Sequence, residues 1–143
     1  MFVDASAIVA ILTAEPDGED LARCLEQAQS KPVTSVIAVW EAVAGIYRKK
    51  QISMAQAEAH VREFLATAGV ELISVSPEEL SVALSAFDRH GRHRYPESQR
   101  NMGLNLADCF HYACAKARDV PVLHKDPGLA ATDIRSAKGG FGG

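Results

Sequence analysis

Short apolar runs alternate with stretches of helical period along this chain. Residues 1–3, 32–34, 70–75 and 120–123 are brief and mostly carry β-branched residues, the pattern of short strands, with 120–123 expected to be buried. Residues 5–14, 19–28, 35–49, 53–68, 77–90 and 105–118 place apolar side chains at helical spacing. Start and stop signals fall between them. Pro16-Asp17-Gly18 separates the first two helices, and Ser35 is placed to cap the third. Ser53 with Gln56 spells a capping box. Ser76-Pro77-Glu78-Glu79 offers a cap, a proline at the first helical position and a glutamate at the third. Asn105 opens the last long helix, Asp126-Pro127-Gly128 predicts a turn, and a last short extended piece is expected to begin at 133–134. Residues 91–104 read as one irregular stretch, and 139–143 as a disordered glycine-rich tail. Strands separated by helices predict a parallel sheet covered on both faces. In such sheets ligands gather at the carboxyl ends of the strands, near the switch in strand order. Asp4 and Asp126 both fall just after predicted strands.

Composition narrows the class. The 143 residues are 48% hydrophobic and 23% charged, which fits one globular domain with a real core. Cys24, Cys109 and Cys114 are odd in number and two lie in apolar helical text, so reduced, buried thiols are expected rather than a disulfide framework. The longest apolar runs are interrupted by Asp4, Glu41 or Asp108, so none is expected to span a membrane. No basic leader precedes the first strand, and a cytoplasmic location is expected. The net charge of −3 conceals a basic stretch, since residues 89–100 hold Arg89, Arg92, Arg94 and Arg100 against Glu97 alone.

Three of the 18 acids stand in the wrong company. Asp4 is the only charged residue in 1–12, Glu41 the only one in 36–47, and Asp108 the only one in 102–115. A carboxylate removed from water costs several kcal/mol unless something compensates it, and a shared divalent cation is the simplest compensator. Each acid also has a plainer reading. Asp4 fits an N-cap, and Asp108, three residues after Asn105, completes one. Glu41 lies too far inside its helix to cap, so its alternative is a buried ion pair with an arginine of 89–100. Asp126 and Asp133 both read alternatively as turn acids.

Carboxylates without Cys or His at ligand spacing favour Mg²⁺, with Mn²⁺ as a substitute, over zinc. His90 and His93 sit together in a loop, while His111 and His124 look isolated. Acids around Mg²⁺ suit phosphodiester hydrolysis by an activated water. Setting aside Asp4, Glu41, Asp108, Asp126 and Asp133 turns the net charge of −3 into +2, so the remaining surface does not repel a polyanion. Glycine-rich phosphate loops and a Gly-x-Ser-x-Gly elbow are both absent.

Phe2-Val3-Asp4-Ala5-Ser6-Ala7, Glu41 in an apolar helix, Leu104-Asn105-Leu106-Ala107-Asp108-Cys109, Val122-Leu123-His124-Lys125-Asp126 and Thr132-Asp133-Ile134 occur in that order. The set resembles the PIN-domain ribonucleases, and within them the VapC toxins of toxin–antitoxin pairs. The resemblance implies a three-layer α/β/α sandwich with a short central parallel sheet over residues 1–138. It implies a Mg²⁺-dependent endoribonuclease that cuts a tRNA or ribosomal RNA, a VapB-type antitoxin laid across the site, and a homodimer. By position, Asp4, Glu41, Asp108 and Asp126 match the family's acidic quartet, with Asp4 and Asp108 nearest the metal. Ser6 matches a small polar residue often found beside the first acid. Many of these toxins read Gly-Asp-Asp-Phe where this chain has Asp126-Pro127-Gly128-Leu129, which leaves the fourth acid open between Asp126 and Asp133. Residues 95–102 look longer than usual, either an RNA-contacting flap or a solvated loop, with Arg92, Arg94 or Arg100 as candidate backbone contacts.

Two other functions compete with this one. One is an inactive relative that acts only by binding antitoxin or RNA. The other is a small-molecule phosphatase with Asp4 as nucleophile, although Ser6 stands where such enzymes often carry a second acid.

Overall fold

Phe2 and Val3, two adjacent strand residues, enter different cores. Phe2 packs with Tyr112, Cys114, Val122 and Leu129, whereas Val3 packs with Ile8, Leu21, Ile46, Val61 and Leu123. Side chains alternate across a strand, so a sheet whose two faces are both apolar has to be covered on both sides. The computed structural model describes residues 1–138, and the predicted tail lies outside the described residues. Its elements are β1 (Phe2–Val3), α1 (Ala5–Leu12), α2 (Gly18–Glu26), β2 (Val33–Ser35), α3 (Val36–Lys50), α4 (Met54–Ala68), β3 (Glu71–Ile73), α5 (Glu79–His90), α6 (Leu106–Arg118), β4 (Val122–Leu123) and α7 (Pro127–Ala130). Two short 3₁₀ turns, Arg92–Arg94 and Glu97–Met102, lie between α5 and α6.

All strand pairs are parallel, in the order β3-β2-β1-β4. Phe2 is level with Val33 on one side and Val122 on the other. The chain therefore steps from β1 to β2 to β3 in one direction and returns to place β4 on β1's free edge. That reversal is the switch point, and it lies between the ends of β1 and β4. The α/β/α sandwich with a short central parallel sheet is the fold observed.

Most helix starts follow the expected capping chemistry. Ser35 Oγ accepts from the Ala38 N–H, and Ser53 with Gln56 forms both halves of a capping box. Four local expectations are corrected. Ser76 does not cap α5; instead Glu79, the first helical residue, accepts from the Ser76 N–H and is buried against Arg118 and Cys114. The last strand is only Val122–Leu123, because Pro121 has no N–H to add to the ladder. Asp126-Pro127-Gly128 opens a one-turn helix rather than a simple turn. The final extended contact falls at Ser136, beside Val122, not at 133–134.

The stretch 91–104 is not shapeless. Leu104 N–H donates to the His90 carbonyl at 2.9 Å, and Gly91 bridges Leu104. Gly103 makes this closure possible: a Cβ there would stand 2.6 Å from the Arg92 Cα. Among the described residues, no helix is long and apolar enough to cross a membrane.

Candidate active site

The first acid follows β1 directly. The Asp4 N–H pairs with the Leu123 carbonyl of β4 at 3.0 Å, which fixes its backbone at the switch point. Its Oδ2 accepts from the Ser6 N–H (3.0 Å) and from the Ser6 hydroxyl (2.5 Å), capping α1. Ser6 Oγ in turn accepts from the Lys125 N–H at 3.1 Å, tying the start of α1 to the segment after β4.

Asp108 and Asp126 repeat this division of labour. Asp108 Oδ2 accepts from the Asn105 N–H while Asn105 Oδ1 accepts from the Asp108 N–H, the reciprocal box that opens α6. Asp126 Oδ1 accepts from the Gly128 and Leu129 N–H groups and caps α7. The capping reading and the metal reading of these acids are therefore compatible. In each, one oxygen holds a helix N-terminus and the other is left over. Asp108 Oδ1 and Asp126 Oδ2 make no hydrogen bond among the described residues. Helix N-termini also supply a positive potential that helps to hold carboxylates there.

Glu41 lies on α3, the helix launched from the end of β2. Its expected arginine partner from 89–100 is not the one found. His111, three residues after Asp108 on α6, puts Nε2 2.6 Å from Glu41 Oε1 and 3.5 Å from Asp4 Oδ1. One ligand atom each from Asp4, Glu41 and His111 lies within 4.8 Å of the others. His111 is fully buried and its ring packs against Phe2, with ring centres 5.4 Å apart. His111 and His124, which looked isolated along the chain, both belong to this neighbourhood. The Asp126 N–H donates to His124 Nδ1 at 3.0 Å. His111 Nδ1 and His124 Nε2 are buried with no hydrogen-bond partner among the described residues. The available signal for His111 was its i, i+3 spacing from Asp108, which puts both on one face of α6.

The electrostatics are those of an acid cluster short of positive charge. Burial, then the charges of Asp126 and Asp4, push Asp108 up from 3.8 to about 7, against the opposing hydrogen bond from Asn105. Burial works to lower the His111 pKa, but the Glu41 hydrogen bond and the charges of Asp4, Glu41 and Asp108 outweigh it and hold the imidazole above its ordinary value. Burial keeps His124 below its ordinary value despite Asp4 and Asp126. The donor set can hold a divalent cation, and it adds the His111 imidazole to the carboxylates of Asp4 and Glu41, where carboxylates without histidine were expected. Zinc's usual thiolates are not among these groups. Cys109 and Cys114 are buried, with burial first and the nearby acids Asp108 and Glu79 second pushing them to about 11 and about 12.

Asp133 stands apart from this cluster in its bonding. It accepts from the Tyr112 hydroxyl at 2.5 Å and from Lys116 Nζ at 2.6 Å, and these bonds hold it down to about 2.

Ser6, Glu41 and Asp126 face an open groove of about 640 Å³, while Asp4 and Asp108 are buried at 3% and 6% exposure. Trp40, Arg48 and Lys49 of α3 also line it, together with Asn101, Lys125 and Pro127. Lys49 and Lys125 both pair with Glu15, and Lys125 also pairs with Asp17. The groove's cations are thus not those expected from 89–100. Arg94 is tied to the Asp88 carbonyl and carboxylate instead. Arg48 and Lys49 follow Glu41 by seven and eight residues, the helical spacing that marks them in retrospect.

The chain is similar to known proteins over nearly its whole length. A model of the PIN-domain family matches residues 1–135. A VapC ribonuclease of Rhizobium meliloti strain 1021 is 31% identical over 143 residues, covering 93% of this chain and 98% of the relative. A ribonuclease VapC of Mycolicibacterium smegmatis is 32% identical over 137 residues, covering 94% and 97%. Among solved structures, Mycobacterium tuberculosis VapC20, described as a Sarcin-Ricin loop cleaving toxin, superposes with a TM-score of 0.72. It is 16% identical and covers 93% of this chain and 95% of its own, a likeness of fold.

Proposed function

Because the chain belongs to the PIN-domain family and resembles its VapC ribonucleases over almost its whole length, we propose that it is a Mg²⁺-dependent endoribonuclease toxin. The observation that supports this reading is the gathering of Asp4 and Glu41 around His111, with Asp108 near enough for the charges of Asp4 and Asp126 to act on it and with one carboxylate oxygen of Asp108 and of Asp126 left without a partner among the described residues. Asp4 and Asp108 hold the cation most directly. Glu41 and Asp126 complete the set from the groove side and orient the attacking water. Asp133, engaged by Tyr112 and Lys116, supports α6 and takes no part.

A bound Mg²⁺, or Mn²⁺ in its place, supplies positive charge to a phosphate oxygen and lowers the pKa of a nearby water. Hydrolysis without a covalent enzyme intermediate would form one bond from the water oxygen to phosphorus as the P–O bond to the leaving ribose oxygen breaks, the water giving up a proton to solvent and the leaving oxygen taking one. Ser6 keeps Asp4 oriented through its two hydrogen bonds. His111 balances part of the acid charge and ties Glu41 to α6. The substrate is a structured tRNA or ribosomal RNA, a VapB-type antitoxin covers the groove, and the active form is a cytoplasmic homodimer.

The test is cleavage of end-labelled RNA by wild type and Asp4→Asn, with Mg²⁺, Mn²⁺ or EDTA. Asn keeps the α1 cap through its side-chain oxygen, so folding is preserved. Cleavage that needs the dication and falls at least about 100-fold in the variant supports the reading. Equal cleavage by both proteins removes the site assignment. RNA retention without any cleavage points to the inactive-relative alternative.

A further inference from the structure

We propose that Trp40 is a stacking platform for an unpaired base of the RNA bound in the groove beside Glu41. The inference rests on the ribonuclease reading above and deepens it. Trp40 is 72% exposed, the most exposed large apolar side chain among the described residues. It precedes Glu41 directly on α3, and both line the same groove. The lining also holds Val9 and Pro127, the cations Arg48, Lys49 and Lys125, and the acids Glu15 and Asp126. Arg48 has no ion-pair partner among the described residues.

Lys49 and Lys125 are held by Glu15, so Arg48 is the groove's unpaired cation among the described residues, and an exposed indole on the same helix as that guanidinium suits a base and its phosphate. A backbone phosphate meets the guanidinium, and a base turned out of its stack meets the ring. Every base has a π-face, so this contact selects for an unstacked nucleotide rather than for a sequence. A base held in a continuous duplex cannot present its face. Trp40 would thus position the nucleotide next to the scissile phosphate; it is a positioning residue and not a catalytic one.

The protein contains one tryptophan, so its emission reports on this residue alone. Asp4→Asn protein is titrated in Mg²⁺ with a single-stranded oligoribonucleotide, a duplex of the same sequence and an abasic strand of the same length. Saturable quenching by the single strand, and little by the duplex or the abasic strand, is expected. In a wild-type background, Trp40→Ala raises KM by about tenfold with kcat nearly unchanged, and Trp40→Phe recovers most of the loss, in line with the usual strength of base–aromatic stacking. The proposal is overturned by unchanged emission at saturating RNA, by equal quenching from the abasic strand, or by a wild-type KM in Trp40→Ala. Quenching in a protein that never cleaves would remove the ribonuclease reading and leave the stacking intact. Cleavage with a silent Trp40 would do the reverse.

Discussion

Asp108 carries the sharpest residue-scale consequence. Its pKa rises from 3.8 in the unfolded chain to about 7 in the fold. The native state therefore binds the proton more tightly, and the stability this provides is complete below about pH 4 and lost as pH rises through about 7. The slope in that window is at most about 1.4 kcal/mol per pH unit. Denaturant titrations of metal-free protein across pH 4 to 8 should show this fall, and Asp108→Asn should flatten it, raise stability at pH 7 and abolish cleavage. A wild-type curve as flat as the variant's would contradict the assignment. Asp133 behaves oppositely. Its lowered pKa gives stability that is present above about pH 4 and lost as pH falls through about 2. Asp133 is half exposed, so Asp133→Asn should cost under about 1 kcal/mol and leave cleavage at the wild-type rate, while Asp126→Asn loses it. Parallel kinetics on the two variants decide which is the fourth acid. At this scale the sequence announced Asp4, Glu41 and Asp108, because each is a charge alone in apolar text. It could not announce His111, because a histidine among Phe110, Tyr112 and Ala113 looks like core until α3 is packed against it.

At the scale of elements, the same hydrogen bonds that start the helices aim the acids. The capping boxes of α4 and α6 were readable because capping is local chemistry, settled within four residues. The failures were also local in kind. Residues 126–128 offer both a turn and a helix start, and only the packing of Leu129 into the core selects α7. Residues 91–104 lack periodicity, and their order comes from Gly103 and a distant backbone bond, which no short window contains. The caps make a prediction. Asn105→Ala should cost about 1 kcal/mol, the usual price of an N-cap, and should also reduce cleavage because the Asp108 backbone N–H loses its acceptor and the turn that carries its carboxylate loosens, although the Asn105 N–H still bonds that carboxylate. Ser53→Ala, at the box of α4, should cost a similar amount and leave cleavage unchanged. Chemical denaturation alongside kinetics separates the two effects.

At the scale of the whole molecule, the sheet's strand order does the assembling. The segments after β1 and β4 lie side by side because β4 returns to the edge of β1, and α3 and α6 bring Glu41 and His111 to Asp4. The alternation of strands and helices was enough to predict a parallel sheet, but not that order, which comes from contacts between distant segments. The cluster's unbalanced charge has a global effect. A dication that binds only the folded form stabilises it by about 2.7 kcal/mol at one hundred times its Kd. Wild type should show a thermal shift on addition of Mg²⁺ or Mn²⁺, and Asp4→Asn should show almost none. His111→Leu should lower the stability of the metal-free protein, because Glu41 and Asp4 lose their countercharge, and the dication should restore a larger share of stability than it adds to wild type.

Anomalous scattering from a crystal soaked in Mn²⁺ tests the central claim most directly. The account predicts a manganese peak bounded by the carboxylates of Asp4, Asp108, Glu41 and Asp126. A peak elsewhere with this cluster empty, or no peak at concentrations that support cleavage, would contradict it.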